Sequence, residues 1–67
     1  MIDKLEVGMK YTSKSLDHRV VYHIETVCQG RVNLVYFENG VKKYCSFDYD
    51  ERDIIKNINS GYAKLVN

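Results

Sequence analysis

The sequence predicts a single, mainly β domain with one short helix before its last strand. A chain of 67 residues is long enough for one small core and no more. Between residues 20 and 47, apolar runs alternate with turn signals, of which Asn39-Gly40 is the strongest. Three isoleucines spaced for one face of a helix follow an aspartate-rich stretch. Together these observations favour a three-stranded meander followed by a helix and a final strand.

A short first strand is predicted in the segment VGMKYTS, residues 7–13. Met9 and Tyr11 alternate there with Lys10, which is the period of a half-buried strand. The polar residues 14–19 then form a connection to the meander, whose first strand spans residues 20–27.

The Asn39-Gly40 pair sets the register of the second hairpin, because both residues tolerate the positive φ of a type I′ turn. The facing pairs in this register are Glu38–Val41, Phe37–Lys42, Tyr36–Lys43, Val35–Tyr44, Leu34–Cys45 and Val32–Phe47. Facing residues share a side of the sheet. The predicted core side therefore carries Val32, Leu34, Tyr36, Cys45 and Phe47.

The link between the second and third strands allows two registers. A two-residue loop, Gln29-Gly30, would set Glu25 opposite Leu34 on the core side, where a carboxylate is costly. A three-residue loop, Cys28–Gly30, avoids this and places glycine at the left-handed third position. We therefore expect the longer loop, which gives the facing pairs Thr26–Val32, Ile24–Leu34 and Tyr22–Tyr36.

A short helix or 3₁₀ turn is predicted after residue 50. Asp50 is its N-cap, and Asp53 stands three residues on, as in a capping box. The isoleucines at positions 54, 55 and 58 fall on one helical stripe. Asn59 or Gly61 is expected to end the helix.

Residues 62–66 close the chain as a fifth strand. The order of strand, long connection, three-stranded meander, helical turn and last strand resembles the SH3-like small barrel, which includes Tudor-like and KOW-like domains. This resemblance covers roughly residues 7–66 and implies a five-stranded barrel, without implying a particular function. The short length and the usage of Lys, Asn and Tyr also resemble small early proteins of tailed bacteriophages.

Composition narrows the function classes. The formal net charge of +1 gives no global attraction to nucleic acid or anionic membrane. No segment approaches the ~20 apolar residues of a membrane span, and the charged N-terminus does not resemble a signal peptide. We therefore expect a soluble, cytoplasmic protein. Cys28 and Cys45 allow either one bridge or two free thiols, and a reducing cytosol favours free thiols.

The residues able to carry out chemistry are few and poorly spaced. Cys28 or Cys45 with His18 or His23 would supply a nucleophile and a base, but no hydrolase signature surrounds either cysteine. The same four side chains lack the paired spacing of zinc sites. The stretch DYDERD, residues 48–53, begins like a calcium loop but lacks the glycine at the sixth position. The sequence therefore predicts no enzyme activity, no metal and no cofactor.

The second side of the meander also carries large apolar residues, which a barrel with one interior does not bury. Its members are Val21, His23, Val27, Val35, Phe37 and Tyr44, with Glu25, Arg31, Asn33 and Lys42 at the rim. Exposed apolar patches of this kind often mark protein contacts. The alternative is that the N-terminal segment or the isoleucine helix covers the patch. Because Phe37 and Tyr44 point away from the core, replacing both by alanine is expected to leave the fold intact.

The patch predicts a non-enzymatic protein-binding module whose partner is another protein or a second copy of the chain. A phage-type inhibitor or modulator of a host protein fits this description. The alternative is a nucleic-acid-binding small barrel, in which Tyr44 and Phe37 stack on bases while Lys42 and Arg31 neutralise phosphate. A steep salt dependence of binding would favour this alternative.

Overall fold

The computed structural model of the protein describes residues 1–66, which form six β-strands and one α-helix. The strands are β1 (Lys10–Ser13), β2 (Tyr22–Cys28), β3 (Arg31–Glu38), β4 (Val41–Tyr44), β5 (Tyr49–Asp50) and β6 (Ala63–Val66). The helix, α1 (Glu51–Ser60), lies between β5 and β6 in the chain. The predicted mainly β fold with one short helix before the last strand is therefore confirmed.

All strands within residues 1–66 belong to one antiparallel sheet in the order β4-β3-β2-β1-β6, with β5 paired to the beginning of β3. Within this range no ladder joins β4 to β6, so the sheet is not closed into a barrel. The strand count is also one higher than the five expected. The open side of the sheet is covered instead by α1 and the N-terminal segment, whose Ile54 and Leu5 are buried in the core.

The turn between β2 and β3 has two residues, and the expected three-residue loop is wrong. Gln29 and Gly30 both have positive φ, at 51° and 79°, as a type I′ turn requires. Cys28 consequently faces Arg31 in the ladder.

A β-bulge in β2 reconciles this short turn with the hydrophobic pattern. The pairs in the observed register are His23–Val35, Ile24–Leu34, Thr26–Asn33, Val27–Val32 and Cys28–Arg31. Glu25 is the extra residue between Ile24 and Thr26, so the two ends of β2 differ in register by one residue. Ile24 thus faces Leu34 as predicted, but Thr26 is exposed rather than in the core. Val27, expected on the second side, packs against the core instead.

The strand that follows Asn39-Gly40 is broken into two pieces. β4 faces β3 in the predicted register, but residues 45–48 separate it from β5, where Tyr49 faces Val32. The predicted Val32–Phe47 pair is therefore wrong. Two additional residues bring Tyr49 to that position and leave Phe47 73% exposed.

The core lies on one side of the sheet, which we call the inner face. Its buried residues are Leu5, Tyr11, Tyr22, Ile24, Val32, Leu34, Ile54 and Ala63. Tyr36 and Cys45, also predicted for the core, are half-buried against this cluster. The opposite side of the sheet is the outer face.

The helix begins and ends as the sequence predicts. The Asp50 carboxylate accepts a hydrogen bond from the backbone N–H of Arg52 at 2.9 Å, and Gly61 ends the helix with φ 86°. Ile54 is buried, and the other two isoleucines of α1 are half-buried against the core. No helix within residues 1–66 is long and apolar enough to cross a membrane.

Candidate interaction face

One row of side chains crosses the outer face along five strands. The row consists of Tyr44, Val35, His23, Lys10 and Val66, each facing the next across a ladder. Phe37 and Lys42 form a facing pair beside it. This arrangement brings together five of the residues predicted for the patch, His23, Val35, Phe37, Lys42 and Tyr44, but not Val27, which packs against the core. Val21 is half-buried immediately before β2, beyond the residues for which pairing is observed.

We define the outer-face patch as His23, Val35, Phe37, Lys42 and Tyr44. Val35 is only 3% exposed, although it lies outside the core cluster. Its cross-strand neighbours are His23 and Tyr44. The rings of His23 and Phe37 meet edge to face, with centroids 5.2 Å apart. The outer face therefore has a small apolar cluster of its own around Val35.

The two large aromatic side chains of the patch remain open to solvent. Phe37 is 53% exposed and Tyr44 is 65% exposed. The N-terminal segment and α1 pack against the inner face through Leu5 and Ile54. Neither element, as far as the structure describes the chain, covers the outer-face patch.

An ion pair neutralises the lysine of the patch. The Nζ atom of Lys42 lies 2.5 Å from Oε2 of Glu25 and 5.3 Å from the centroid of the Tyr44 ring. Hydrogen bonding to the Glu25 carboxylate raises the pKa of the Lys42 ammonium group, so the lysine stays charged. Both side chains are partly exposed, and such pairs add little to stability. The main consequence is that Lys42 offers the patch little free positive charge.

Arg31, the second cation of the nucleic-acid hypothesis, is also engaged. Its Nη2 donates to the backbone carbonyl oxygen of Asp48 at 3.1 Å. Asn33 donates to the Asp48 carboxylate at 2.6 Å and accepts from the Thr26 hydroxyl at 2.7 Å. These polar contacts form one end of the outer face and include Thr26, which is exposed here and not on the predicted core side.

A shallow basic groove of about 220 Å³ lies where β1 ends and β6 begins. It is lined by Thr12, Ser13, Lys14, His18, Gly61, Tyr62 and Lys64. The backbone N–H of Lys14 donates to the carbonyl oxygen of Tyr62 at 3.2 Å, which holds the two segments together. Sequence reasoning missed this groove because its residues come from two distant parts of the chain, with no local signature.

The residues considered for catalysis and metal binding lie apart. Cys28 is exposed at the end of β2, whereas Cys45 is half-buried, and both are free thiols. Burial raises the pKa of the Cys45 thiol, which makes it a poor nucleophile near neutral pH. Among residues 1–66, no three His, Cys, Asp or Glu side chains are grouped as metal ligands.

Comparisons with protein-family models, with curated proteins and with solved structures yield no significant match. Function is therefore inferred from the surfaces themselves.

Proposed function

We propose that the protein is a non-enzymatic binding module that docks on a protein partner through the outer-face patch. The observation that supports this is the exposure of Phe37 and Tyr44 around a buried Val35, on a face that the protein's own helix leaves open. Aromatic residues carry a large share of the binding energy in interfaces. A sheet holds them in fixed positions, so a partner would complete their burial with little ordering cost.

A protein partner fits the patch better than nucleic acid does. Lys42 is paired with Glu25, and Arg31 is bonded to the carbonyl group of Asp48. Affinity for nucleic acid comes largely from neutralising phosphate, which requires available cations. An apolar surface whose central lysine is already paired with a carboxylate favours contact with another protein, which includes a second copy of this chain.

We also propose that the fold is related to the SH3-like small barrels, and the order of the strands supports this relationship. β1 pairs with both β2 and the last strand, and the helix precedes that last strand. A fold of this kind needs only a surface to act, which suits a small phage-type inhibitor or modulator of a host protein in the cytoplasm.

Four matched variants test the patch. Phe37→Ala and Tyr44→Ala remove its aromatic side chains, while Phe47→Ala and Tyr62→Ala remove exposed residues of the same types elsewhere. The tagged protein is used to capture its partner from a lysate of the source cells, and sedimentation velocity measures self-association. We expect the patch variants to lose the partner, or to dissociate, and the controls to behave as wild type. The proposal fails if folded Phe37→Ala and Tyr44→Ala proteins keep every interaction.

The basic groove supports a second candidate function, the binding of single-stranded nucleic acid. Lys14 and Lys64 line the groove together with Tyr62, which is 44% exposed, and lysines beside an aromatic ring can neutralise phosphate and stack on a base. Fluorescence anisotropy with a labelled oligonucleotide, repeated over a range of salt concentrations, tests it. Replacing Lys14 and Lys64 by glutamine should lower the salt slope by about two, and Lys56→Gln should not. Absence of binding at low salt would exclude this function.

A further inference from the structure

One edge of the sheet is free along β4. This strand comes first in the order β4-β3-β2-β1-β6, so β3 is its one neighbouring strand within residues 1–66. All four residues of β4 are exposed. A strand whose backbone is open to solvent along one side is a template for the addition of another strand.

The hydrogen bonds of the β3–β4 ladder show which backbone groups lie on this free edge. The N–H of Cys45 donates to the carbonyl oxygen of Leu34 at 3.0 Å, so these two residues form a hydrogen-bonded pair. Hydrogen-bonded and non-hydrogen-bonded pairs alternate along an antiparallel ladder. The N–H and C=O groups of Lys43 therefore point to β3, whereas those of Lys42 and Tyr44 point away from the sheet.

The edge carries one uncompensated positive charge. Lys43 faces Tyr36 on the inner side of the sheet and forms no ion pair within residues 1–66. Lys42, on the outer side, is paired with Glu25. Opposite charges on facing residues stabilise a strand pair, and like charges destabilise it. A strand added to β4 is therefore favoured if it places a carboxylate opposite Lys43.

A second copy of β4 does not meet this requirement. Two identical antiparallel strands that pair along the whole length held by β3, residues 41–45, place Lys43 opposite Lys43 of the other copy. A shift of this register in either direction brings the Asn39-Gly40 turn or the break at residues 45–48 into the pairing. The charge of the edge thus favours a different, acidic strand over self-pairing.

We propose that the free edge of β4 takes up an extended, acidic segment of a protein partner as an additional strand. The outward backbone groups of Lys42 and Tyr44 bond the segment, and one of its carboxylates lies opposite Lys43. In this mode of recognition main-chain hydrogen bonds supply affinity and alternate side chains supply specificity. Residues of the segment on the outer side lie beside Tyr44 and extend the outer-face patch. The inference rests on the proposed function, because it describes how the partner's chain meets that patch.

Three capped pentapeptides of sequence threonine-valine-X-valine-threonine, in which X is glutamate, glutamine or lysine, test the edge. Each is titrated into the ¹⁵N-labelled full chain and followed by NMR. We expect saturable shifts of the amide signals of residues 41–45 and slower hydrogen exchange at Lys42 and Tyr44. The glutamate peptide should bind about two- to fivefold more tightly than the glutamine peptide, and the lysine peptide should bind most weakly. Shifts that do not saturate, shifts centred elsewhere or equal affinities would overturn the proposal.

Charge reversal connects the binding to Lys43. In Lys43→Glu the order should invert, so that the lysine peptide binds more tightly than the glutamate peptide. Because Lys43 is exposed, the variant should keep the wild-type melting temperature. Lys56→Glu, at an exposed position of α1, is the matched control and should keep the wild-type order of affinities. A folded Lys43→Glu protein with the wild-type order would refute the assignment.

A backbone change tests the hydrogen bonds themselves, since a chain of this length is accessible to chemical synthesis. N-methylation of Tyr44 removes an outward N–H and leaves the bonds to β3 in place, so it should abolish peptide binding. N-methylation of Leu65 is the control, because the bond from the Lys14 N–H to the Tyr62 carbonyl oxygen implies that the Leu65 N–H also points away from its neighbouring strand. Equal binding by the two methylated chains would contradict the proposal.

The peptide titrations need no cellular partner, so this inference and the proposed function fail separately. If no peptide binds while Phe37→Ala loses the partner, the edge is excluded and the outer-face patch is supported. If the peptides bind in the expected order while Phe37→Ala and Tyr44→Ala keep every interaction, the edge is supported and the patch is excluded. Protection of the Lys42 and Tyr44 amides that rises with the concentration of the free protein would show pairing of two copies and overturn the acidic segment.

Discussion

Replacing Leu34 by alanine should destabilise the protein far more than the same change at Leu65. Leu34 is 1% exposed and faces Ile24 at the centre of the core, whereas Leu65 is 42% exposed on β6. Truncating a fully buried leucine costs roughly 2–5 kcal/mol, because transfer free energy is lost and a cavity remains. At Leu65 only part of the side chain leaves water on folding, so the expected cost is roughly 1 kcal/mol.

The size of this difference matters because a small domain has a small free energy of unfolding. At roughly 0.05–0.15 kcal/mol per residue, a chain of 67 residues has a free energy of unfolding of roughly 3–10 kcal/mol. Leu34→Ala can therefore remove most of the stability, whereas Leu65→Ala leaves the protein folded. Urea unfolding followed by circular dichroism measures both free energies.

If Leu34→Ala does not fold at all, milder changes carry the comparison. Ile24→Val should cost roughly 0.5–1.5 kcal/mol, as is typical of buried isoleucines. Ile55→Val, at a half-buried position of α1, should cost less. Equal costs for Leu34→Ala and Leu65→Ala, or a Leu34→Ala protein with the wild-type free energy of unfolding, would refute the assignment of β3 side chains to the two faces.

Three further predictions concern register, thiols and pH. Tyr49→Ala should lower the free energy of unfolding measurably, whereas Phe47→Ala should hardly change it, because Tyr49 and not Phe47 faces Val32. The reverse order in urea unfolding would contradict this pairing. Cys28 should react with iodoacetamide at pH 8, while Cys45 should react slowly until the protein unfolds, because burial raises the pKa of the Cys45 thiol. Equal reaction rates, or a disulfide between the two cysteines found by intact-mass analysis, would contradict this. Burial raises the pKa of Tyr11 above 10.0, so at alkaline pH the folded state retains a proton that the unfolded chain releases. The contribution of the protonated Tyr11 to the free energy of unfolding is therefore complete below pH 10 and is lost as the pH rises further. Alkaline thermal melts should show a steeper loss for wild type than for Tyr11→Phe, and identical slopes would argue against the shift.

Side-chain alternation predicted the buried residues at the centre of the meander, because the face of a strand residue depends on whether its position is odd or even. Ile24, Val32 and Leu34 are buried as expected, and the Asn39-Gly40 turn gives β4 the expected register. Only one register of β3 and β4 is compatible with both the conformational preference of this turn and the strict alternation of the strand. The capped helix was predictable for a similar reason, since Asp50 and the isoleucine spacing act locally.

The register errors arise where two arrangements satisfy the same pattern. Glu25 can avoid the core side of the sheet only if the β2 half of the β2–β3 hairpin has one residue more than the β3 half. This extra residue can lie either in the turn or in a β-bulge. The chain places it at Glu25, which the pattern cannot distinguish from a longer loop. Phe47 and Tyr49 have the same parity, so alternation alone allows either to face Val32. The basic groove was not predictable, because folding assembles it from two distant segments of the chain.

The burial of Val35 changes what a mutation in the outer-face patch measures. The sequence alone suggested that Phe37 and Tyr44 could both be removed without effect on the fold, because they point away from the inner core. In the structure they border Val35, which is almost fully buried between His23 and Tyr44, so truncation exposes apolar surface that the folded protein now covers. Some loss of stability is therefore expected even if the patch binds nothing. A more conservative substitution than alanine separates the two effects. Phe37→Leu keeps an apolar side chain beside His23 but removes the aromatic ring. A Phe37→Leu protein that retains its free energy of unfolding and loses its partner would identify a binding contact, whereas parallel losses would identify Phe37 as part of the fold.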